Sequence, residues 1–261
     1  MERRLGDRSP RIREAAALLT AKGIHGSPHY LFEGPTLLRE AVRSGVRPHE
    51  IYATQPAFDN EPLLAELREQ GVPIFIVSER AGKRLSAVRT PQGIYALATT
   101  ALCQLDSMLA RPGAAIVLAG LSDPGNAGTL VRCADAFGGC AIFAPGAVGP
   151  YHPKVIRAAM GSFFRVPIAV ATSAAIVQAA SLAGRPIVGL DASGGSRLED
   201  MPAKAVIVVG RERQGLGEWK PICERLFTIP MAAGAESLNA AVAGAIALYE
   251  ASRRARELPA K

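Results

Sequence analysis

Six short apolar runs in the second half of the chain restrict the fold more than any other feature: Ala114–Ala119, Cys140–Ala144, Pro167–Val170, Pro186–Leu190, Ala205–Val209 and Leu226–Ile229. Each has the length of a strand and lacks polar alternation, so it suits a strand buried on both faces. Helical patterns lie between most of them, as the crossovers of parallel strands require. Together they describe an open, parallel α/β sheet, in which ligands bind beyond the carboxyl ends of the strands.

The first hundred residues also alternate. Arg11–Ala21, Pro35–Ser44, Glu61–Gln70 and Ala81–Leu85 carry helical patterns, while Tyr30–Glu33, Ile51–Ala53, Pro73–Val77 and Gly93–Ala98 read as strands. This predicts a small α/β domain over residues 1–100, a linker over 101–112 that ends in Arg111-Pro112-Gly113, and a second α/β domain over 113–261.

A formal charge of +7 favours a polyanionic partner without demanding one. Its densest stretch is N-terminal, at Arg3, Arg4, Arg8, Arg11 and Arg13, readable as a nucleic-acid contact or as a solvated face. Four cysteines without CxxC spacing read as small buried hydrophobes in a reducing compartment. With four scattered histidines and no HExxH, no metal site is expected. The charged N-terminus does not resemble a signal peptide, and the Ala-rich stretches are too interrupted for a membrane span, which predicts a soluble, cytoplasmic protein.

Three polar-glycine clusters follow strand ends. The first, from Asp123 to Ala134, contains a Pro124-Gly125 turn, Asn126 as a helix cap, Gly128 at a close approach, and Arg132. Arg132 lies among apolar neighbours on the following helix, which makes it a candidate anion ligand. The second cluster, Gly210-Arg211-Glu212-Arg213-Gln214-Gly215-Leu216, is neither a GxGxxG fingerprint nor a phosphate loop, which counts against a nucleotide-dependent oxidoreductase. The third, Ile229-Pro230-Met231 through Glu236-Ser237-Leu238-Asn239, enters an apolar helix whose first N–H groups Ser237, Asn239 or Glu236 can cap. Ser237 lacks a GxSxG elbow and a nearby histidine, so a serine hydrolase fits poorly.

In this order and spacing the clusters resemble the three motifs of the SpoU (TrmH-like) family of RNA ribose methyltransferases, in the SPOUT superfamily. The likeness covers residues 113–252: N-x-G-x-x-x-R at Asn126, Gly128 and Arg132, G-x-E-x-x-G-L from Gly210 to Leu216, and I-P-M with E-S-L-N from Ile229 to Asn239. Lys154–Pro167 is similar to the segment that joins the first two motifs, and Leu31–Ala41 resembles the RNA substrate-binding domain of many members, a fold like that of kink-turn-binding ribosomal proteins.

The resemblance implies a C-terminal SPOUT-type sheet with a deep trefoil knot, a small N-terminal α/β/α domain, a homodimer, and S-adenosylmethionine as the methyl donor to a ribose 2′-hydroxyl. By the same likeness, Leu190, Gly210, Ile229, Met231 and Leu238 would hold the cofactor, while Arg132, Asn126, Glu212, Ser237 and Asn239 would form the catalytic group. Arg3, Arg4, Arg8 and Arg11 would meet RNA, with ribosomal RNA favoured over transfer RNA. A guanidinium stays protonated at neutral pH, so Arg132 would engage the adjacent phosphate and influence the hydroxyl proton through it. The alternative is a non-catalytic RNA-binding protein that keeps the fold.

Overall fold

A computed structural model describes residues 3–212 and 214–257, except for the side chain of Arg3. The chain forms two compact units. One comprises residues up to Ala101 together with Tyr151–Phe164, and the other comprises Leu102–Pro150 and the residues from Arg165 onward.

The first unit is built on β1 (Arg3–Arg4), β2 (His29–Glu33), β3 (Glu50–Thr54), β4 (Ile74–Val77) and β5 (Ile94–Thr99), in the order β1-β4-β3-β5-β2. β1, β4 and β3 run parallel, and β5 is antiparallel to both β3 and β2. The expected strands are all present. The arginine-rich start is no loose tail: Arg3 and Arg4 pair with Phe75 and Ile76 of β4. Arg11 sits 5.1 Å above the Phe75 ring and pairs with Glu50 at 2.9 Å, so its aliphatic stem and its charge are both used in packing.

Tyr151–Phe164 belongs to this unit rather than to the C-terminal one in which 113–261 was expected to fold as a piece. The reason is aromatic burial. Tyr151 stacks on Tyr30 at 4.9 Å, Phe163 meets Tyr30 edge-on at 5.6 Å, and Phe164 meets Phe32 at 5.2 Å.

The second unit is an all-parallel sheet of β6 (Ala115–Leu118), β7 (Cys140–Phe143), β8 (Ile168–Val170), β9 (Ile187–Leu190), β10 (Ser196–Arg197), β11 (Val206–Val209) and β12 (Arg225–Thr228). The strand order is β10-β12-β9-β11-β6-β7-β8. Every residue of β6, β7 and β11 is buried, as their continuous apolar sequences require. The order reverses between β6 and β11, which makes their carboxyl ends the place for a ligand crevice. β10 escaped the sequence reading because a two-residue edge strand carries no periodicity.

Two helices bring the later site together. Pro124–Ala136 and Ala240–Glu257 pack against each other, and Gly244 marks the contact. A Cβ at Gly244 would lie 2.5 Å from Leu130 Cδ2 and 3.1 Å from Val209 Cγ2, so no larger residue fits without displacing a neighbour. On the core side, the expected linker contains the helix Leu105–Leu109, whose Met108 and Leu109 join Ile142, Ile176, Val208 and Trp219 in the core of this unit. Of the cysteines only Cys140 is fully buried, while Cys103 is exposed, and all four are free thiols.

Leu109 is 1% exposed. Leu109→Ala is expected to destabilise the protein by about 2–5 kcal/mol in urea unfolding, as a core truncation does. A free linker would lose almost nothing.

Candidate active site

Asp123 and Pro124 set the first loop. Asp123 Oδ1 accepts a hydrogen bond from Asn126 N at 2.8 Å, and Pro124 occupies the first helical position. Asp123 therefore caps the helix, in place of the expected Asn126. The Asn126 side chain is thereby released from its own helix.

Asn126 instead joins the three loops. Its Nδ2 donates to Glu212 Oε1 at 2.9 Å, and its Oδ1 accepts from Asn239 Nδ2 at 3.0 Å. Asn239 Oδ1 in turn accepts from Ala241 N and Val242 N at 2.9 and 3.2 Å, capping the helix Ala240–Glu257. A carboxylate can only accept and the helix N–H groups can only donate, so both amide orientations are fixed from the two ends. The chain of donors runs from the positive helix terminus to the anionic Glu212. Glu212 thus holds Asn126, a residue of the neighbouring loop.

The five residues expected on the cofactor side come together. Leu190, Gly210, Ile229, Met231 and Leu238 line one open cleft beyond the ends of β9, β11 and β12, with Glu212 and Ser237 on its wall. The cleft encloses about 670 Å³ including its mouth, within the range of small-molecule sites. Val209, Phe227, Ala240 and Ala243 add an apolar lining, beside which stand the charged side chains of Asp191, Arg211 and Glu212. The apolar part suits an uncharged ring wrapped by side chains.

Arg132 is not brought together with Asn126. It is exposed on the helix Pro124–Ala136, with no hydrogen bond or ion pair among the described residues. Six residues separate the two, which is about 9 Å along the axis and about 240° around it. Ser237 is exposed at the cleft. Arg4 donates to Gln55 Oε1 at 2.9 Å, Arg11 is held as described, Arg8 is exposed, and the Arg3 side chain lies outside the described residues. Among the described residues no cluster of three histidine, cysteine or acidic side chains could hold a metal ion, and no helix is long and apolar enough to cross a membrane.

Sequence reasoning missed Asp191, the residue after Leu190 on the cleft wall. Its Oδ2 lies 2.7 Å from Lys220 Nζ, and its Oδ1 accepts from Ser193 N at 2.8 Å and Ser193 Oγ at 2.6 Å. The hydrogen bond from Lys220, followed by those from Ser193, pulls its carboxyl down to about 2. The only advance signal was an acidic residue directly after a buried strand.

The SpoU rRNA Methylase family model matches residues 113–249, and the MRM3-like substrate binding domain model matches residues 9–96. An uncharacterized tRNA/rRNA methyltransferase of Mycolicibacterium vanbaalenii is 33% identical over 94% of this chain and 83% of its own length. The 23S rRNA (guanosine(2553)-2'-O)-methyltransferase of Bacillus subtilis is 28% identical over 93% of this chain and 96% of its own length. The AdoMet-bound rRNA methyltransferase of Sinorhizobium meliloti superposes with a TM-score of 0.85 at 26% identity, covering 97% of this chain and 98% of the other. The chain belongs to the SpoU methylase family and is an S-adenosylmethionine-dependent RNA methyltransferase.

Two outcomes follow. Asn239→Ala removes a helix cap and is expected to cost about 1 kcal/mol in thermal unfolding. For Asp191 the folded value lies below the ordinary 3.8, so its contribution to stability is complete above that value and is lost as pH falls through about 2. Lys220→Met should move the Asp191 midpoint upward in an NMR titration. An unmoved midpoint would mean that the ion pair does not hold the carboxylate.

Proposed function

We propose that the protein methylates a ribose 2′-hydroxyl, and that its substrate is ribosomal RNA. The observation that carries this reading is the hydrogen-bonded chain Glu212–Asn126–Asn239, which unites three separate motifs beside the apolar cleft. The relation to a 23S rRNA 2'-O-methyltransferase supports the choice of atom and of RNA class.

In this reading Leu190, Gly210, Ile229, Met231 and Leu238 hold S-adenosylmethionine, which when bound supplies an electrophilic methyl group. Ser237 and the Asn126–Asn239 pair orient the ribose, so that the hydroxyl is aligned with the methyl donor and little reorganisation remains. Glu212 keeps Asn126 from rotating. Arg132, cationic and without a hydrogen bond or ion pair among the described residues, engages the phosphate adjacent to the target ribose and polarises the hydroxyl through that contact, the proton passing to solvent. The unit that contains β1 to β5 selects the RNA, and the basic start at Arg3, Arg4, Arg8 and Arg11 adds charge for capture.

The likeness to the SpoU family supports the deep trefoil knot, and the insertion of β11 between β9 and β6 is compatible with it. A homodimer is supported by apolar side chains left partly in solvent along the last helix and at its entrance, Leu238, Val242 and Tyr249, at 40%, 47% and 46% exposure. A ribosomal RNA substrate and four free thiols accord with the cytoplasm.

The test maps 2′-O-methylation across total RNA from a strain lacking the protein. One site should vanish, return with the wild-type gene, and stay absent with Arg132→Ala. That variant should still bind S-adenosylmethionine in calorimetry. Methylation by Arg132→Ala at the wild-type rate would remove Arg132 from the mechanism, and loss of a base methyl instead of a ribose methyl would overturn the choice of atom.

A further inference from the structure

Arg211 is the cation that the three-motif reading leaves without a task. It is the first residue of a hairpin closed by reciprocal backbone bonds to Gly215, each 2.9 Å, and it precedes Glu212, which is tied to Asn126. Its side chain is exposed, yet it lies in a fixed bed. A Cβ at Gly120 would stand 2.5 Å from Arg211 Nε and 3.3 Å from Cζ, and one at Gly146 would stand 3.2 Å from Nη2. Both glycines hold positive φ, +70° and +81°, in the loops after β6 and β7. Two glycines in left-handed conformations therefore clear the space that the guanidinium fills.

Its charge is not cancelled. Arg211 Nη1 donates to Gln214 Oε1 at 2.8 Å, and among the described residues it has no carboxylate partner. The direction of the side chain decides between possible ligands. Arg211 borders the cofactor cleft at the ends of β9, β11 and β12, but its guanidinium lies against Gly120 and Gly146, in the loops after β6 and β7. There it borders a second, more polar depression lined by Gly120, Pro145, Gln214, Glu218 and Trp219. A pre-oriented guanidinium with free N–H groups is matched to a phosphate.

We propose that Arg211 binds a backbone phosphate of the substrate RNA, a different one from that assigned to Arg132, and so sets the register of the strand relative to Asn126. Gly120 and Gly146 are positioning residues for this contact. The proposal deepens the function proposed above, but it requires only that RNA lies across this side of the site, whichever atom is methylated.

The experiment measures binding of full-length protein to purified 23S ribosomal RNA as a function of salt, together with calorimetry with S-adenosylmethionine. Arg211→Ala should weaken RNA binding roughly tenfold and reduce the salt slope by about 0.7–0.9, the share of one phosphate. Arg211→Lys should keep the slope, and cofactor affinity should be unchanged in both variants. Gly120→Ala, with Arg211 intact but displaced, should reproduce the RNA defect, provided that its thermal melt confirms folding. Unchanged RNA affinity and slope in Arg211→Ala would overturn the proposal, as would lost S-adenosylmethionine affinity with RNA binding intact, which would assign Arg211 to the methionine carboxylate. Intact RNA binding by the wild type without a ribose product would fail the functional reading while leaving the Arg211 result standing. A wild type that binds no RNA would overturn both.

Discussion

The hydrogen bonds from Asn239 to Asn126 and from Asn126 to Glu212 are the constraint on which the site depends. They connect residues separated by 113 and 86 positions and hold three loops that share no local sequence. The connection is directional, because a helix terminus donates at one end and a carboxylate accepts at the other. Neither amide can flip without placing oxygen against oxygen. A network whose members are all satisfied in one arrangement resists rearrangement, and this is what aligning a weak nucleophile requires.

That network in turn depends on the sheet. β11 lies between β6 and β9, so the loop that bears Glu212 emerges beside the loop that bears Asn126. Gly244 lets the last helix close onto Leu130 and Val209, which delivers Asn239 to the same place. Burial of the apolar strands and helix faces supplies the favourable free energy for this arrangement, and the polar chain selects its geometry.

Much of this was legible in the sequence. The six apolar runs all became strands, because strands buried on both faces leave a signal that needs no partner to interpret. The five candidate cofactor residues share one cleft because loops at the ends of parallel strands converge on one side of a sheet. What was hidden depended on long-range contacts. Tyr151–Phe164 went to the first unit for the sake of Tyr30 and Phe32, and 101–112 gave up Met108 and Leu109 to a core that lies mostly later in the chain. The Asp123-Pro124 pair did carry a local capping signal, and reading it would have released Asn126 for its real partners. The pairing of Glu212 with Asn126 had no local signature at all.

The claim that these three loops act as one unit is tested most directly by a double-mutant cycle on kcat/KM for RNA methylation. The cycle uses Asn126→Ala, Asn239→Ala and the double variant, with folding checked for each. If the two amides serve one arrangement, the double variant should be no more impaired than the worse single variant, giving a coupling of about 1–3 kcal/mol. Losses that simply add would contradict the account, because they would mean that Asn126 and Asn239 serve the reaction independently.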